Sequence, residues 1–130
     1  MFQNSFALAV VPFAATSPFN VWVLPIVCHA RFEEASAELI AAVGEALGHV
    51  LRKLHTALDE PDYNVVLRNP PLSPSSGAGS DPFVPFTSWF VEITPRLGAG
   101  RLAGFEMGSG MHSNGNVPDH DAARLREAPL

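Results

Sequence analysis

The sequence predicts an α+β fold in which one long helix packs on an antiparallel sheet of about five strands, followed by a short carboxyl-terminal helix. Three observations predict it: strand-like β-branched and aromatic runs, one long stretch with helical spacing between them, and a length of 130 residues, which suits one domain. We therefore expect a single domain over residues 1–130, with a flexible loop at about 70–82 and a loosely ordered region from about 113.

The first two strands are predicted to form a hairpin. Phe6 to Val11 is apolar but too short for a membrane span, and no Lys or Arg precedes it, which argues against a signal peptide. Asn20 to Pro25 is rich in β-branched and aromatic residues, which is typical of a strand. The residues from Pro12 to Phe19 between them predict a longer connection than a tight turn.

One amphipathic helix is predicted from Ser36 to Leu58. The Ser36 hydroxyl can cap its amino end, and Gly44 and Gly48 indicate close packing of the helix on the sheet. Its apolar residues recur three or four positions apart, namely Ile40, Val43, Leu47, Val50, Leu51, Leu54 and Leu58.

The second half of the chain supplies the remaining elements. Tyr63 to Arg68 is predicted as a third strand, and the Pro-, Gly- and Ser-rich residues that follow predict the flexible loop. Ser88 to Thr94 alternates between two faces and is predicted as a fourth strand, with Leu102 to Met107 as a short fifth strand. Asp119 to Ala128, preceded by a proline, predicts the terminal helix.

Charge and cysteine content exclude several classes of function. The formal net charge of -5 and the absence of a Lys/Arg cluster argue against nucleic-acid binding. The single cysteine, Cys28, excludes an intrachain disulfide and a multi-cysteine zinc site. This composition is compatible with a reducing compartment, so we expect a cytoplasmic protein that does not bind membranes.

A family resemblance is carried by six segments that agree in order and spacing: Pro12 to Ala15, Pro18 to Pro25, Phe32 to Glu34, Asp62 to Leu67, Trp89 to Arg96 and Ala103 to Gly110. Together they resemble the second half of galactose-1-phosphate uridylyltransferases. The resemblance implies a histidine-triad-like fold and a role related to galactose metabolism. Family enzymes contain two such halves and transfer a uridylyl group from UDP-glucose to galactose 1-phosphate through a histidine in a His-Pro-His motif, which this chain lacks.

The chain departs from the family pattern at the positions of its histidines. Relatives commonly have His-Trp-His at Ser88-Trp89-Phe90, and some have a metal-ligating histidine at Arg68. The basic turn that faces phosphate in the family corresponds to Ile26-Val27-Cys28, with His29 one place late. Histidines two apart on a strand share a face and can jointly ligate a metal, whereas a guanidinium cannot coordinate a cation. We therefore expect no catalytic residue, no metal site and no cofactor.

Three residues remain candidates for binding a nucleotide sugar. Phe105 and Glu106 match a segment that contributes to this site in family dimers, and Asn64 matches a frequent family position. Each of the three could instead have a purely structural role. For Asn64 this is the commoner case, because an asparagine at the start of a strand more often forms a hydrogen bond within a turn. Cys28 and His29 do not form a nucleophile–base pair on a strand, because adjacent residues face opposite ways.

Three functions remain open at this point. The first is a non-catalytic uridylyltransferase-like domain that binds a UDP-sugar or a sugar phosphate. The second is a half-enzyme that a separate first-half partner chain completes. The third is an interaction module that forms a homodimer through the sheet face carrying Phe90, since an apolar replacement favours burial.

Overall fold

The computed structural model describes residues 2–29, 31–70, 88–97 and 104–130. Five antiparallel strands form one sheet in the order β1-β2-β3-β5-β4, and helix α1 packs on it. The predicted fold class is therefore confirmed. The strands are β1 (Phe2–Gln3), β2 (Ala7–Val10), β3 (Val21–Pro25), β4 (Tyr63–Arg68) and β5 (Phe90–Pro95), and the helices are α1 (Ala37–Leu58), α2 (Gly104–Ser109) and α3 (Pro118–Glu127).

The hydrophobic core lies between the sheet and α1. Alternate residues of β2, β3 and β5 are buried, as the period of two along a strand requires when one face packs on a helix. From the helix, Val43, Ala46, Val50 and Leu54 are buried on a single side. They form one cluster with sheet residues that include Ala9, Val21, Val23 and Ile93.

Both ends of α1 are capped as the local sequence allows. The Ser36 hydroxyl accepts a hydrogen bond from the Leu39 amide at 3.2 Å, which confirms the predicted amino-terminal cap. Asp59, in the left-handed conformation with φ of 57°, ends the helix and directs the chain toward β4. The expected close packing of Gly44 and Gly48 on the sheet was wrong, because a Cβ at Gly44 would meet nothing within 4 Å and one at Gly48 would meet only the Arg52 side chain.

The fifth strand is not where the sequence placed it. Residues 104–109 form helix α2, and the strand at the opposite edge from β4 is β1, which pairs with β2. The segment Leu102 to Ala103 lies outside the described residues, as do residues 71–87, which include nearly all of the expected flexible loop. The loosely ordered region expected from about 113 stays a prediction.

The predicted terminal helix is confirmed as α3, which packs against α1. Leu125 is buried in the common core, and Lys53 of α1 donates hydrogen bonds to the carbonyls of Arg126 and Ala128. None of the helices in the described ranges combines the length and the apolar character that crossing a membrane requires.

Candidate functional site

The sheet face opposite α1 carries polar and aromatic side chains together with aliphatic ones. On this face, which we call the polar face, β3 presents Trp22 and β5 presents Phe90, Glu92 and Thr94, while β4 presents Asn64 and Arg68. On β3 and β5 these residues alternate with buried positions, because successive side chains point to opposite sides of a sheet, whereas every residue of β4 is exposed. The predicted alternation of the fourth strand is thus confirmed, with Trp89, Val91 and Ile93 buried on the other side.

Arg68 and Glu92 form an ion pair across the two neighbouring strands. Nε and Nη2 of Arg68 each lie 2.8 Å from the same oxygen, Oε2 of Glu92. The Glu92 side chain is only 13% exposed, whereas the Arg68 side chain is 56% exposed. The buried carboxylate is therefore neutralised by a cation that still faces solvent.

Asn20 holds the second oxygen of Glu92. Its side chain is buried, and Nδ2 donates to Glu92 Oε1 and to Thr94 Oγ1, both at 3.0 Å. Burial alone would raise the pKa of Glu92, but hydrogen bonds from Arg68 and Asn20 outweigh burial and lower the pKa below its ordinary value. Glu92 is consequently an ionised, hydrogen-bonded carboxylate at neutral pH and is not available as a general acid.

Helix α3 fixes the start of β3 beside this network. Asp121 is buried, and its Oδ2 accepts a hydrogen bond from the Phe19 amide at 2.8 Å. Its Oδ1 accepts from Asn116 Nδ2 at 2.7 Å. Phe19 has a φ of 56°. This backbone conformation costs free energy for a bulky residue and persists only where surrounding contacts offset that cost. The carboxylate of Asp121 thereby positions Asn20, the next residue along the chain.

Phe90, the first residue of β5, and Ser88, two positions before it, stand where the family resemblance places histidines, and both contact other parts of the protein. The Phe90 ring packs on Trp22 with ring centroids 4.5 Å apart. The Ser88 hydroxyl accepts a hydrogen bond from the backbone amide of His29 at 3.2 Å. The His29 ring is turned elsewhere, with Nδ1 lying 3.0 Å from the Arg31 carbonyl oxygen. Ser88 and His29 therefore meet through the backbone of His29 and not as a hydroxyl–imidazole pair.

The apolar turn formed by Ile26, Val27 and Cys28 lies at the surface. Ile26 and Val27 are exposed, as is Cys28, and the Ile26 amide donates to the Phe6 carbonyl at 2.9 Å. Within the described ranges, no group of three or more His, Cys, Asp or Glu side chains is arranged to hold a metal ion. The described part of the chain therefore offers no preformed cluster of metal-ligating side chains.

The three candidate binding residues lie on two different elements. Asn64 is exposed on β4, at the end of the polar face next to Thr94. Phe105 and Glu106 are neighbours on α2, where the Phe105 side chain is 58% exposed and the Glu106 carboxylate accepts a hydrogen bond from Ser113. Sequence reasoning missed the buried polar residues Asn20 and Asp121. The available signal was their position, since Asn20 directly precedes an apolar strand and Asp121 lies within a helix that packs on the core.

The architecture is the histidine-triad-like fold, which the chain shares with several solved structures. ADP-glucose phosphorylase from Arabidopsis thaliana is 31% identical over 128 residues, which are 98% of this chain and 34% of the relative. The solved structure of that enzyme with bound ADP-glucose superposes with a TM-score of 0.87, and a solved uridylyltransferase, 28% identical, superposes with 0.78 over 96% of this chain and 39% of its own. No family model matches the sequence.

The chain is a homologue of the galactose-1-phosphate uridylyltransferase-like proteins over its whole length. It spans about 34% to 40% of the relatives' lengths, which corresponds to one half-domain. A histidine-triad-like protein from Bartonella henselae, 14% identical with a TM-score of 0.66, is matched over 84% of its chain and shows that the fold is that of such a unit.

Proposed function

We propose that this chain is a nucleotide-sugar-binding domain, derived from the second half of a uridylyltransferase-like protein, that has no transfer activity alone. One observation carries the proposal: the residues at all three lost histidine positions contact other parts of the protein. Arg68 pairs with Glu92, Phe90 packs on Trp22, and Ser88 binds the backbone of His29. The fold is thus retained, and the residues at the three positions where relatives have histidines contribute to its stability instead.

The ligand class follows from the relatives. ADP-glucose phosphorylase acts on ADP-glucose by its name and has been solved with ADP-glucose bound, whereas the family resemblance of the sequence implies UDP-glucose. Both nucleotide sugars share a diphosphate and a hexose, so both are tested. Asn64, Phe105 and Glu106 are the residues that we propose contact the ligand, because they keep the family's residue types, with Asn64 and Phe105 exposed and Glu106 partly exposed.

Calorimetric titration tests the binding. We expect weak binding of ADP-glucose or UDP-glucose that Asn64→Ala and Glu106→Gln reduce. The matched controls are Asn69→Ala and Glu127→Gln, which change exposed residues of the same types outside the proposed contacts. The absence of any heat with either ligand at millimolar concentration would remove the binding function.

A transfer assay tests the missing activity. The chain alone should produce no glucose 1-phosphate from either nucleotide sugar when galactose 1-phosphate or inorganic phosphate is the acceptor. Turnover by the chain alone would overturn the proposal, since it would require a nucleophile within this chain.

A second candidate is supported by the length of the chain. Because the chain spans only 34% to 40% of its relatives, a separate chain corresponding to the remaining part could complete an enzyme. Co-expression with such a first half, followed by the same transfer assay, should then yield activity that neither chain has alone. An inactive pair that nevertheless copurifies would exclude this candidate. The third function, dimerisation through Phe90, stays a prediction, with Phe90→Asp as its test by light scattering.

A further inference from the structure

Helix α3 and the segment before it hold the connection between β2 and β3 through side chains. The Asn114 side chain donates to a backbone carbonyl of this connection at 3.1 Å, and Asp121 accepts a hydrogen bond from the Phe19 amide at 2.8 Å. The guanidinium of Arg124 lies over the Phe19 ring, 5.4 Å from its centroid. Because these three side chains fix the connection from a separate element, we call residues 114–128 the latch.

The latch is attached to the rest of the protein mainly by polar contacts. Among the residues of α3 that the structure describes, Leu125 is the one that joins the hydrophobic core cluster. Lys53 of α1 donates to two carbonyls at the end of α3, and Arg124 donates to the Ala57 carbonyl at the end of α1 at 2.7 Å. Segments with few buried apolar side chains generally open at a lower free energy than a core does. These contacts therefore favour opening of the latch before the sheet and α1 unfold.

Phe19 is held by the latch in a backbone conformation that a bulky residue seldom adopts. Its φ is 56°, in the left-handed region, whereas such residues ordinarily have a negative φ. The hydrogen bond to Asp121 fixes the direction of the Phe19 N–H group. Loss of this acceptor would let Phe19 relax and would change the direction in which the chain enters β3.

Asn20, the next residue, connects Phe19 to the polar face. Its side chain is 1% exposed, and Nδ2 donates to Glu92 and to Thr94, both at 3.0 Å. Thr94 lies opposite Asn64 of β4. A rotation at Phe19 would withdraw the Asn20 amide and remove one of the hydrogen bonds that keep the pKa of Glu92 below its ordinary value.

We propose that the latch opens as a unit while the sheet and α1 stay folded, and that its opening switches the polar face by relaxing Phe19 and withdrawing Asn20. A molecule that binds the polar face in its closed form must then also hold the latch closed, and a molecule that captures the latch must weaken such binding. Opening of the latch needs no ligand, so it can hold or fail independently of the proposed nucleotide-sugar binding.

Hydrogen exchange of the wild-type chain, followed by NMR, tests the opening. The amides of Phe19 and Leu125 should show the same free energy of opening, because the acceptor of the Phe19 amide belongs to the latch. The amide of Val50, which is buried in α1, should be protected about tenfold or more strongly than both. Equal protection of all three amides would overturn the proposal, as would protection of Phe19 that matched Val50 instead of Leu125.

Low concentrations of urea separate the two kinds of opening in the same experiment. Urea should speed exchange at Val50 much more than at Phe19 and Leu125, because opening the latch exposes less surface than unfolding the whole domain. An equal dependence on urea at all three positions would show that α3 separates only when the domain unfolds, which would overturn the proposal.

Carboxyl titration by NMR tests the switch of the polar face. Asp121→Ala removes the acceptor of the Phe19 amide and should raise the pKa of Glu92 toward its ordinary value. Asp121→Asn is the matched control, because its side-chain oxygen can still accept this hydrogen bond, and it should keep the wild-type pKa of Glu92. An unchanged pKa in Asp121→Ala, or an equal rise in both variants, would overturn the coupling. Hydrogen exchange needs no variant, so it decides the proposal even if Asp121→Ala does not fold.

Discussion

Arg68 and Glu92 lie on adjacent strands, and two nitrogens of the guanidinium contact a single carboxylate oxygen at 2.8 Å each. The family resemblance places a histidine at position 68 in some relatives, where it serves as a metal ligand. In this chain a permanent cation occupies the position and is neutralised by a neighbouring carboxylate. The polar face keeps a positive charge beside Glu92 without any metal-binding side chain at this position.

Removing the Arg68 side chain should destabilise the fold modestly. Arg68→Met leaves Glu92 hydrogen-bonded by Asn20 but without its cation, and we expect a loss of about 1 kcal/mol, since the pair is half exposed and screened by solvent. Urea unfolding of Arg68→Met measures the loss. Arg52→Met, which removes an exposed arginine of α1, is the control. Equal stability of the wild type and both variants would show that the ion pair contributes nothing.

The same carboxylate predicts how stability depends on acid. The pKa of Glu92 is lower in the folded chain than in the unfolded chain, so its ionisation favours folding. This contribution is complete above the ordinary carboxyl value of 4.5 and is lost as the pH falls through the lowered pKa. Glu92→Gln should therefore lose less stability than the wild type on acidification below that value. Parallel curves of unfolding free energy against pH would contradict the assignment.

The local elements could be read from the sequence, but the contacts between distant segments could not. Helix α1 and β4 follow from short-range patterns of apolar residues. Helix α2 was missed because residues 104–109 contain two glycines and no helical period, and β1 was missed because two residues carry no pattern. These two short elements depend on tertiary contacts that override local propensity.

The polar face shows the same limit. Alternation along Ser88 to Thr94 predicted which residues share a face. The pairing of Arg68 with Glu92, which lie 24 residues apart in the sequence, depends on the register between β4 and β5. The contact of Asp121 with Phe19 spans 102 residues, so no local pattern could predict it. Candidate positions were readable from the family resemblance, whereas their new partners required the three-dimensional fold.

Asp121 should be among the most important polar residues for stability. Asp121→Ala removes the acceptor for the buried Phe19 amide and for the partly buried Asn116 side chain, which should cost about 2 kcal/mol. Thermal unfolding measures the change. Asp119→Ala, at an exposed position of the first turn of α3, is the matched control and should lose much less. A similar loss in both variants would mean that only the charge near the helix end matters.

Gly44 offers the opposite test, because a larger side chain should stabilise the protein there. Gly44 is exposed in the middle of α1, and a Cβ at this position would meet nothing within 4 Å. Alanine is favoured over glycine in a helix interior by about 1 kcal/mol, so Gly44→Ala should raise the free energy of unfolding by about that amount. Gly110→Ala is the contrasting control, since Gly110 has a φ of 70° that alanine adopts only with strain. Denaturant unfolding measures the change. If Gly44→Ala instead destabilised the chain, the added methyl group would have to clash with a partner bound at this surface of α1.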